Sequence, residues 1–540
     1  MKENFGTVLE TIADVLPDQP VLVQGDRVRT WAELDARASR LAGYLAAGGV
    51  RAGSRVGIGQ YNGIEYVESI FAAFKLSAVP VNVNYRYREE ELRYLLDDAQ
   101  AEALLFDTAL TERVAGVQGD LPRLRCLVRV GGSGDAADPP GTVDFETAVR
   151  ASEPLPRQRR GDDHWLLYTG GTTGAPKGVL TLHSWLFNVC VPHGIGLLEE
   201  LAPDSLAELA ELTRKRNPDD RVVCLPAAPL IHGTGIYTTL GTLLGGGTVV
   251  FATYRSYDPV ELIRLVERHR VTDLVIVGDI FARPLADALD RAAAEGEPAD
   301  LSALRRIASV GATWSGQVKE HLVRHGDLVC KDVVAASEGG PFAISLTQRG
   351  ENAVTSRFVL APGARVLDES GRDVEPGSGQ VGVLAAPTND DVRYLGDEAK
   401  TAETFRMVDG RRYVIPGDMA TVEADGSLIF KGRGSRVINS GGEKVFAEEV
   451  EQVIGTHPSV LDSMVVGIAD ELWGQRIVAM VAPAPGASLT ESEIQEFVGS
   501  RLAGYKRPRR VIIVPEVRRS PAGKPDLGWA HGVAEEARTE

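Results

Sequence analysis

Hydrophobic positions change their period several times along the chain, and each change marks an element. The opening segment, MKENFGTVLETIADVLPDQP, alternates acidic and apolar residues at helical spacing and stops near Pro17. From Trp31, WAELDARASRLAGYLAAGG again has helical spacing and ends in Gly48-Gly49, a natural helix stop. RVGIG then reads as a short apolar strand, YVESIFAAFKLSA as a helix and VPVNVN as another strand. This alternation predicts α/β layers with parallel strands.

The same rhythm returns in VVCLPAAP (222–229), TVVFA (248–252), TDLVIVGD (272–279) and RIASVGA (306–312). Each apolar run passes into a loop of small or polar residues, and ligands of open α/β sheets sit at such carboxyl ends. The polar segment LLEELAPDSLAELAELTRKRNPDD (197–220) breaks the rhythm and predicts a helical excursion on the surface or over a pocket. Beyond residue 355 short strands with glycine turns take over, and Asp425-Gly426 between alternating segments predicts a hairpin. From residue 434 EEVEQVIGTHPSV reads as a helix, MVVGIAD and IVAMVAP as strands, and ESEIQEFVGSRLAGY as a further helix. The expected fold class is α/β. A large N-terminal domain, 1–433, of layered α/β subdomains plus a β-rich subdomain precedes a small α+β C-terminal domain, 434–540. No internal repeat is visible.

Length changes this picture little: 540 residues suffice for roughly three to four domain-sized units. Charge narrows it. The formal net charge of −17 argues against a nucleic-acid partner, which would need clustered Lys and Arg. Cys126, Cys190, Cys224 and Cys330 are scattered, and their spacing suggests neither a zinc site nor a disulfide framework. The N-terminus lacks the basic segment, apolar block and cleavage site of a signal peptide, and no apolar run is long enough to span a membrane. A cytoplasmic protein is expected.

One stretch carries distinctive chemistry. YTGGTTGAPKG, Tyr168 to Gly178, combines glycine N–H groups, the adjacent hydroxyls of Thr172 and Thr173 and the cation of Lys177. Those groups suit a polyphosphate: glycines permit close backbone approach, hydroxyls donate and the lysine offsets charge. The spacing is not that of the common Gly-Lys-Ser/Thr nucleotide loop, because Ala175 and Pro176 separate Gly174 from Lys177.

YTGGTTGAPKG closely resembles the phosphate-loop signature of the adenylate-forming superfamily, which includes acyl-CoA synthetases, firefly luciferase and peptide-synthetase adenylation domains. Other segments resemble the family in the same order. PLIHGTG (229–235) matches the segment whose His or aromatic residue borders the acyl pocket, here His232. SVGAT (309–313), with Gly311 and Ala312, resembles the loop along the adenine. AASEGG (335–340) stands where the family has Tyr-Gly-x-Thr-Glu, which implies nucleotide contacts from Ala336 and Ser337 and a magnesium ligand in Glu338, with Thr173 as a second. YVIPGD puts Asp418 where a bidentate acceptor grips both ribose hydroxyls, and GRGSRVINSGGEKVFAEEVE puts Arg433 beside the same ribose. RSPAGKPD puts Lys524 at the catalytic lysine of a C-terminal domain that rotates between steps. Thr169, Gly170, Gly171, Thr172, Thr173, Gly174 and Lys177 complete the implied nucleotide site, and Ser440, Gly441 and Gly442 the passage for CoA.

The resemblance spans nearly the whole chain. VNVNYRY, VIPGD, INSGGEK and SPAGKPD look most like actinobacterial acyl-CoA synthetases acting on fatty or sterol-derived acids. It implies ATP, Mg²⁺ and CoA (as substrate), with Lys524, Glu338 and His232 as catalytic residues. A carboxylic acid is first adenylated and then transferred to CoA. An amide synthetase using a free amine, a ligase loading a carrier-protein thiol and a non-catalytic nucleotide sensor remain alternatives, and a homodimer is left open. The chain departs from the family at four places. Gly170 replaces a serine, Val334-Ala335 replace Tyr-Gly, Pro416 replaces a threonine, and Gly434-Ser435-Arg436 lacks the usual hinge residue.

Overall fold

The computed structural model describes residues 1–132, 137–158, 160–169, 176–193, 203–440, 443–470, 474–520 and 523–537. Three sheets organise it, of eight, fifteen and five strands. In the eight-stranded sheet Arg55–Gly59 lies between Val79–Asn82 and Ala101–Asp107, all parallel, as the alternation of strand and helix requires. His164–Thr169 extends this sheet in parallel and then turns back into Lys177–Leu182. Thr169 and Lys177 are cross-strand partners, and the glycine-rich residues 170–175 between them lie outside the described residues.

The fifteen-stranded sheet contains the predicted parallel series, extended by a strand that the sequence pattern does not mark, Val329–Ala336. Thr248–Phe251, Val223–Pro226, Asp273–Ile276, Arg306–Val310 and Val329–Ala336 lie side by side. Their carboxyl ends therefore face one edge. The sheet continues antiparallel through Gly339–Thr347 and reaches the hairpin Asp418–Val422/Leu428–Arg433. Asp425-Gly426 makes that turn as expected: Gly426 has φ +80° and the Asp425 carboxylate accepts from Ser427 N. The ladder pairs Asp418 with Arg433 after a bulge that leaves Lys431 without a partner residue.

Beyond Arg433 the chain leaves this sheet through the short turn Gly434–Arg436 and enters the five-stranded one, built on Val460–Asp470 and Gly474–Pro483. Ala447–Gly455, Glu491–Gly499 and Leu527–Glu536 are the helices here. The first of these stops at Gly455 rather than continuing through the THPSV segment. The His457 N–H folds back to Ile454 O, Pro458 has no N–H to continue the ladder, and Val460 opens a strand. A large domain and a smaller C-terminal one thus form a mixed α/β molecule. Among the described residues no helix is long and apolar enough to cross a membrane.

The opening helix, Phe5–Val15, is part of the core. Asn4 caps it, and Phe5, Val8, Leu9 and Ile12 are almost wholly buried. Leu209, on the helix Leu206–Lys215 of the polar excursion, is buried in the same core; residues 197–202 of that excursion lie outside the described residues. A buried ion network ties these layers together. Lys75 Nζ donates to Glu10 at 2.6 Å and to Asp35 at 2.5 Å, while Arg160 donates to Glu10 at 2.8 Å and to Lys75 O at 2.8 Å.

Because Lys75 is 1% exposed, its removal takes a buried cation from two carboxylates and leaves Glu10 with Arg160 and Asp35 with Arg157. Lys75→Met should destabilise the N-terminal domain by about 3–5 kcal/mol, the usual cost of breaking a buried pair. Thermal and denaturant unfolding of the variant checks this; an unchanged midpoint would refute the role given to the network.

Candidate active site

Strand ends supply most of the site. Val223–Pro226 leads to His232, the residue before the helix Gly233–Leu244. Arg306–Val310 runs into Gly311 and Ala312, and Val329–Ala336 into the two-residue turn Ser337-Glu338, closed by the pairing of Ala336 with Gly339. Local bonds fix these loops. The Gly278 N–H donates to Ser309 Oγ (2.9 Å), Asp279 N–H to Thr313 O (3.0 Å) and Ser315 N–H to Asp279 Oδ1 (2.8 Å).

Around them lies a cavity of about 1070 Å³ that also takes in Asp418, Arg433 and the C-terminal loop with Lys524. Arg433 Nε donates to Asp418 Oδ1 at 3.3 Å, a contact set by their cross-strand pairing. The Tyr394 hydroxyl donates to Glu338 Oε1 at 2.7 Å. Lys177 Nζ donates to Asp397 Oδ2 at 2.6 Å and lies 5.8 Å from the centre of the Tyr394 ring. The lysine side chain remains 45% exposed, which leaves room for an anion to compete with Asp397. Trp185, Val189 and Tyr237 give the cavity an apolar stretch of wall.

Lys524 arrives on a tightly held turn. Ser520 N–H donates to Lys524 O at 2.8 Å, and Lys524 N–H to Ser520 Oγ at 3.2 Å. Arg519 anchors the turn: its Nε and Nη2 donate to the two oxygens of Asp462 at 2.7 and 2.8 Å, and its Nη1 to Gly523 O at 3.3 Å. Gly523 has φ +68°, and a Cβ there would stand 3.2 Å from Val277 and 3.3 Å from Ala312. Glycine is what lets the loop of the small domain press against the large one.

Burial dominates the electrostatics. It raises Asp418 above the ordinary carboxylate range, opposed by Arg433 and reinforced by Glu338. It lowers Lys524, and Arg433 adds repulsion while Glu338 and Asp418 oppose the shift. It pushes His232 down to about 4, with Lys524 contributing, so the imidazole is neutral at neutral pH. His232 Nε2 and the Tyr237 hydroxyl are buried without a hydrogen-bond partner. Both residues line the cavity, where a ligand's polar groups would reach them.

The cavity brings together Thr169, Lys177, His232, Gly311, Ala312, Ala336, Ser337, Glu338, Asp418, Arg433 and Lys524. Ser440 is not among its lining; it is buried in the strand Val437–Ser440 of the small sheet. Gly170, Gly171, Thr172, Thr173, Gly174, Gly441 and Gly442 lie outside the described residues. Sequence reasoning missed Tyr394, Asp397, Asp279 and Arg519. Only Asp397 left a local sign, as the N-cap of the helix Glu398–Thr404. Val334, Ala335 and Pro416, residues of two of the four departures, line the cavity, and Arg436 of a third pairs with Glu448 and Glu451 at 2.9 and 2.5 Å.

The profile described as AMP-binding enzyme matches residues 9–386, and the one described as AMP-binding enzyme C-terminal domain matches residues 449–524. A 3-oxocholest-4-en-26-oate–CoA ligase of Rhodococcus rhodochrous is 38% identical over 539 residues, covering 98% of this chain and 96% of that protein. A medium/long-chain-fatty-acid–CoA/3-oxocholest-4-en-26-oate–CoA ligase of Mycobacterium marinum is 39% identical, covering 98% of this chain and 96% of its own length. The crystal structure of the anthranilate CoA ligase AuaEII in complex with anthranoyl-AMP superposes with a TM-score of 0.83 at 22% identity. That match covers 100% of this chain and 98% of the other.

The Lys524 shift makes a signed prediction. A lysine whose folded-state value is depressed loses its proton in the folded protein first, so its cost to stability is full only while both states hold the proton. That cost is relieved as pH rises toward the ordinary lysine value. The difference in unfolding midpoint, wild type minus Lys524→Met, should therefore increase between neutral pH and about pH 10. A flat difference would contradict the buried placement.

Proposed function

The chain belongs to the AMP-binding enzyme family, and from that premise we infer that it is an AMP-forming acid–thiol ligase. It joins a moderately large apolar carboxylic acid to ATP as acyl-adenylate, then passes the acyl group to CoA. The observation that carries this reading is the insertion of Lys524, from the small domain, into a cavity already holding Asp418, Arg433 and Glu338 of the large one. Motif order and two relatives named as CoA ligases of fatty or steroid acids support it.

In the first half-reaction a carboxylate oxygen attacks the α-phosphorus and pyrophosphate leaves. Negative charge gathers on phosphoryl oxygens, so the protein's part is positioning and electrostatics. Lys524 bridges the attacking carboxylate and the α-phosphate, which otherwise repel. Lys177 releases Asp397 and takes the β- and γ-phosphates together with the glycine-rich loop, while Asp418 accepts from the ribose hydroxyls beside Arg433. The donor set suits magnesium: Glu338 offers an oxygen ligand, steadied by Tyr394, and Thr173 offers a hydroxyl. Bound there, Mg²⁺ supplies charge neutralisation for the triphosphate. Neutral His232, with an unpaired Nε2, faces the acid's end of the cavity beside Trp185 and Tyr237.

The domain boundary falls between Arg433 and Gly434 in this reading. Arg433 is the last residue of the large sheet's hairpin, and Val437–Ser440 already belongs to the small sheet. Rotation about this junction withdraws Lys524 and brings forward Ser440, Gly441 and Gly442, whose small side chains leave room for the pantetheine arm.

Pyrophosphate release across a panel of carboxylic acids, with CoA or with amines and with mass spectrometry of the product, tests the proposal. Acyl-CoA from apolar acids is the expected outcome; an adenylate that ignores CoA and yields an amide would overturn it. Lys524→Ala should slow pyrophosphate release on the order of 100-fold or more, while CoA still consumes preformed acyl-adenylate. Tyr394→Phe, by loosening Glu338, should lower kcat/KM for Mg-ATP roughly tenfold. Equal rates in that variant would deny Tyr394 its role in steadying Glu338.

A further inference from the structure

Outside the cavity, one cluster has the makings of a second, unrelated site. Asp290 projects from the helix Gly278–Ala294, and His321 sits in the last turn of the helix Gly316–Leu322. His325 follows four residues later, in the tight turns where its N–H donates to Leu322 O. His321 Nε2 lies 2.7 Å from Asp290 Oδ2, and His325 Nε2 lies 3.1 Å from Asp290 Oδ1. One donor atom from each of the three residues lies within 4.8 Å of the others, and among the described residues no other His, Cys, Asp or Glu group has this property.

The pairing is imperfect in an informative way. His325 Nε2 is shielded from solvent yet forms no aligned hydrogen bond, although a carboxylate oxygen is close. An imidazole without a proton on Nε2 offers a lone pair at that position. We propose that Asp290, His321 and His325 bind one divalent transition ion, of the zinc class, with water completing the shell.

Ligand chemistry selects the class. Two imidazoles and one carboxylate suit zinc, cobalt or nickel, whereas magnesium and calcium take oxygen donors. Arg324, whose field reaches His325, opposes any cation, so the ion must be one that gains strongly from imidazole. The four cysteines are buried and do not compete. Donors of a tetrahedral zinc stand about 3.3 Å apart with bonds near 2.0 Å, so small side-chain rotations close the shell. The bound ion would cross-link two helices that bracket the 311–315 segment of the cavity wall. Its effect is on rigidity, with no part in the acyl chemistry.

The test uses full-length, untagged, chelator-treated protein. Cobalt should bind one to one with the visible absorption of a four- or five-coordinate nitrogen–oxygen site, and zinc should displace it. Zinc, unlike magnesium, should raise the thermal midpoint. His321→Ala and Asp290→Asn should each weaken zinc binding at least about tenfold, the scale seen even for outer-shell changes at metal sites, and leave pyrophosphate release from Mg-ATP unchanged when no zinc is added. The cobalt spectrum of the wild type stands even if a variant fails to fold. No zinc-dependent rise, no such spectrum, or equal zinc binding in wild type and His321→Ala would overturn the site.

Discussion

Two carboxylates, Glu338 and Asp418, share a cavity whose burial pushes Asp418 toward its neutral form, and everything around them answers that constraint. Arg433 meets Asp418 across a ladder, Tyr394 donates to Glu338, and Lys524 adds a cation from another folding unit. In the cycle proposed above the balance is conditional, because its last member would leave. With the Lys524 loop docked, Lys524 and Arg433 face the two carboxylates; with it withdrawn, Arg433 would remain as the cation beside Asp418. Domain position would then set the charge of the site.

Rigidity is distributed to match. The strand ends bearing Glu338 and Gly311 belong to ladders continuous with a buried core, and the buried Lys75–Glu10–Arg160 network locks the N-terminal layers behind them. Lys524 depends instead on a short turn held by Arg519 and Asp462, and on one glycine pressed against Val277 and Ala312. A few contacts of that kind can be broken and remade at modest cost, while the strands stay in place.

How much could be read from the sequence follows from the range of each interaction. Parallel strands, the Asp425-Gly426 hairpin and the convergence of strand ends were legible because each rests on local periodicity or turn chemistry. His232, Asp418, Arg433 and Lys524 were legible through motif resemblance, and they do share one cavity. Tyr394 was not. Its partner Glu338 lies 56 residues away, and nothing local in RYLGDEAK marks a tyrosine that will meet it. Arg519 was hidden likewise, since Asp462 sits on a distant strand of the small sheet. The helix ending at Gly455 was read too long because helical spacing persists past the point where Pro458 stops the ladder.

The unpaired Lys431 in the hairpin has a consequence for how such a chain can vary. Side chains on a strand alternate faces, so a shift of one residue turns every later one over. With Lys431 bulged out, Arg433 stands opposite Asp418; were Lys431 drawn into the ladder instead, Gly432 would take that place and the guanidinium would turn to the other side of the sheet. Gly432 sits in the bulge with φ +95°, and a larger residue there would collide with Glu448. A change of length within Leu428–Arg433 therefore moves Arg433 off Asp418 unless a bulge absorbs it, and an odd change also turns it to the other face, whereas one confined to the turn after Val422 leaves the register alone.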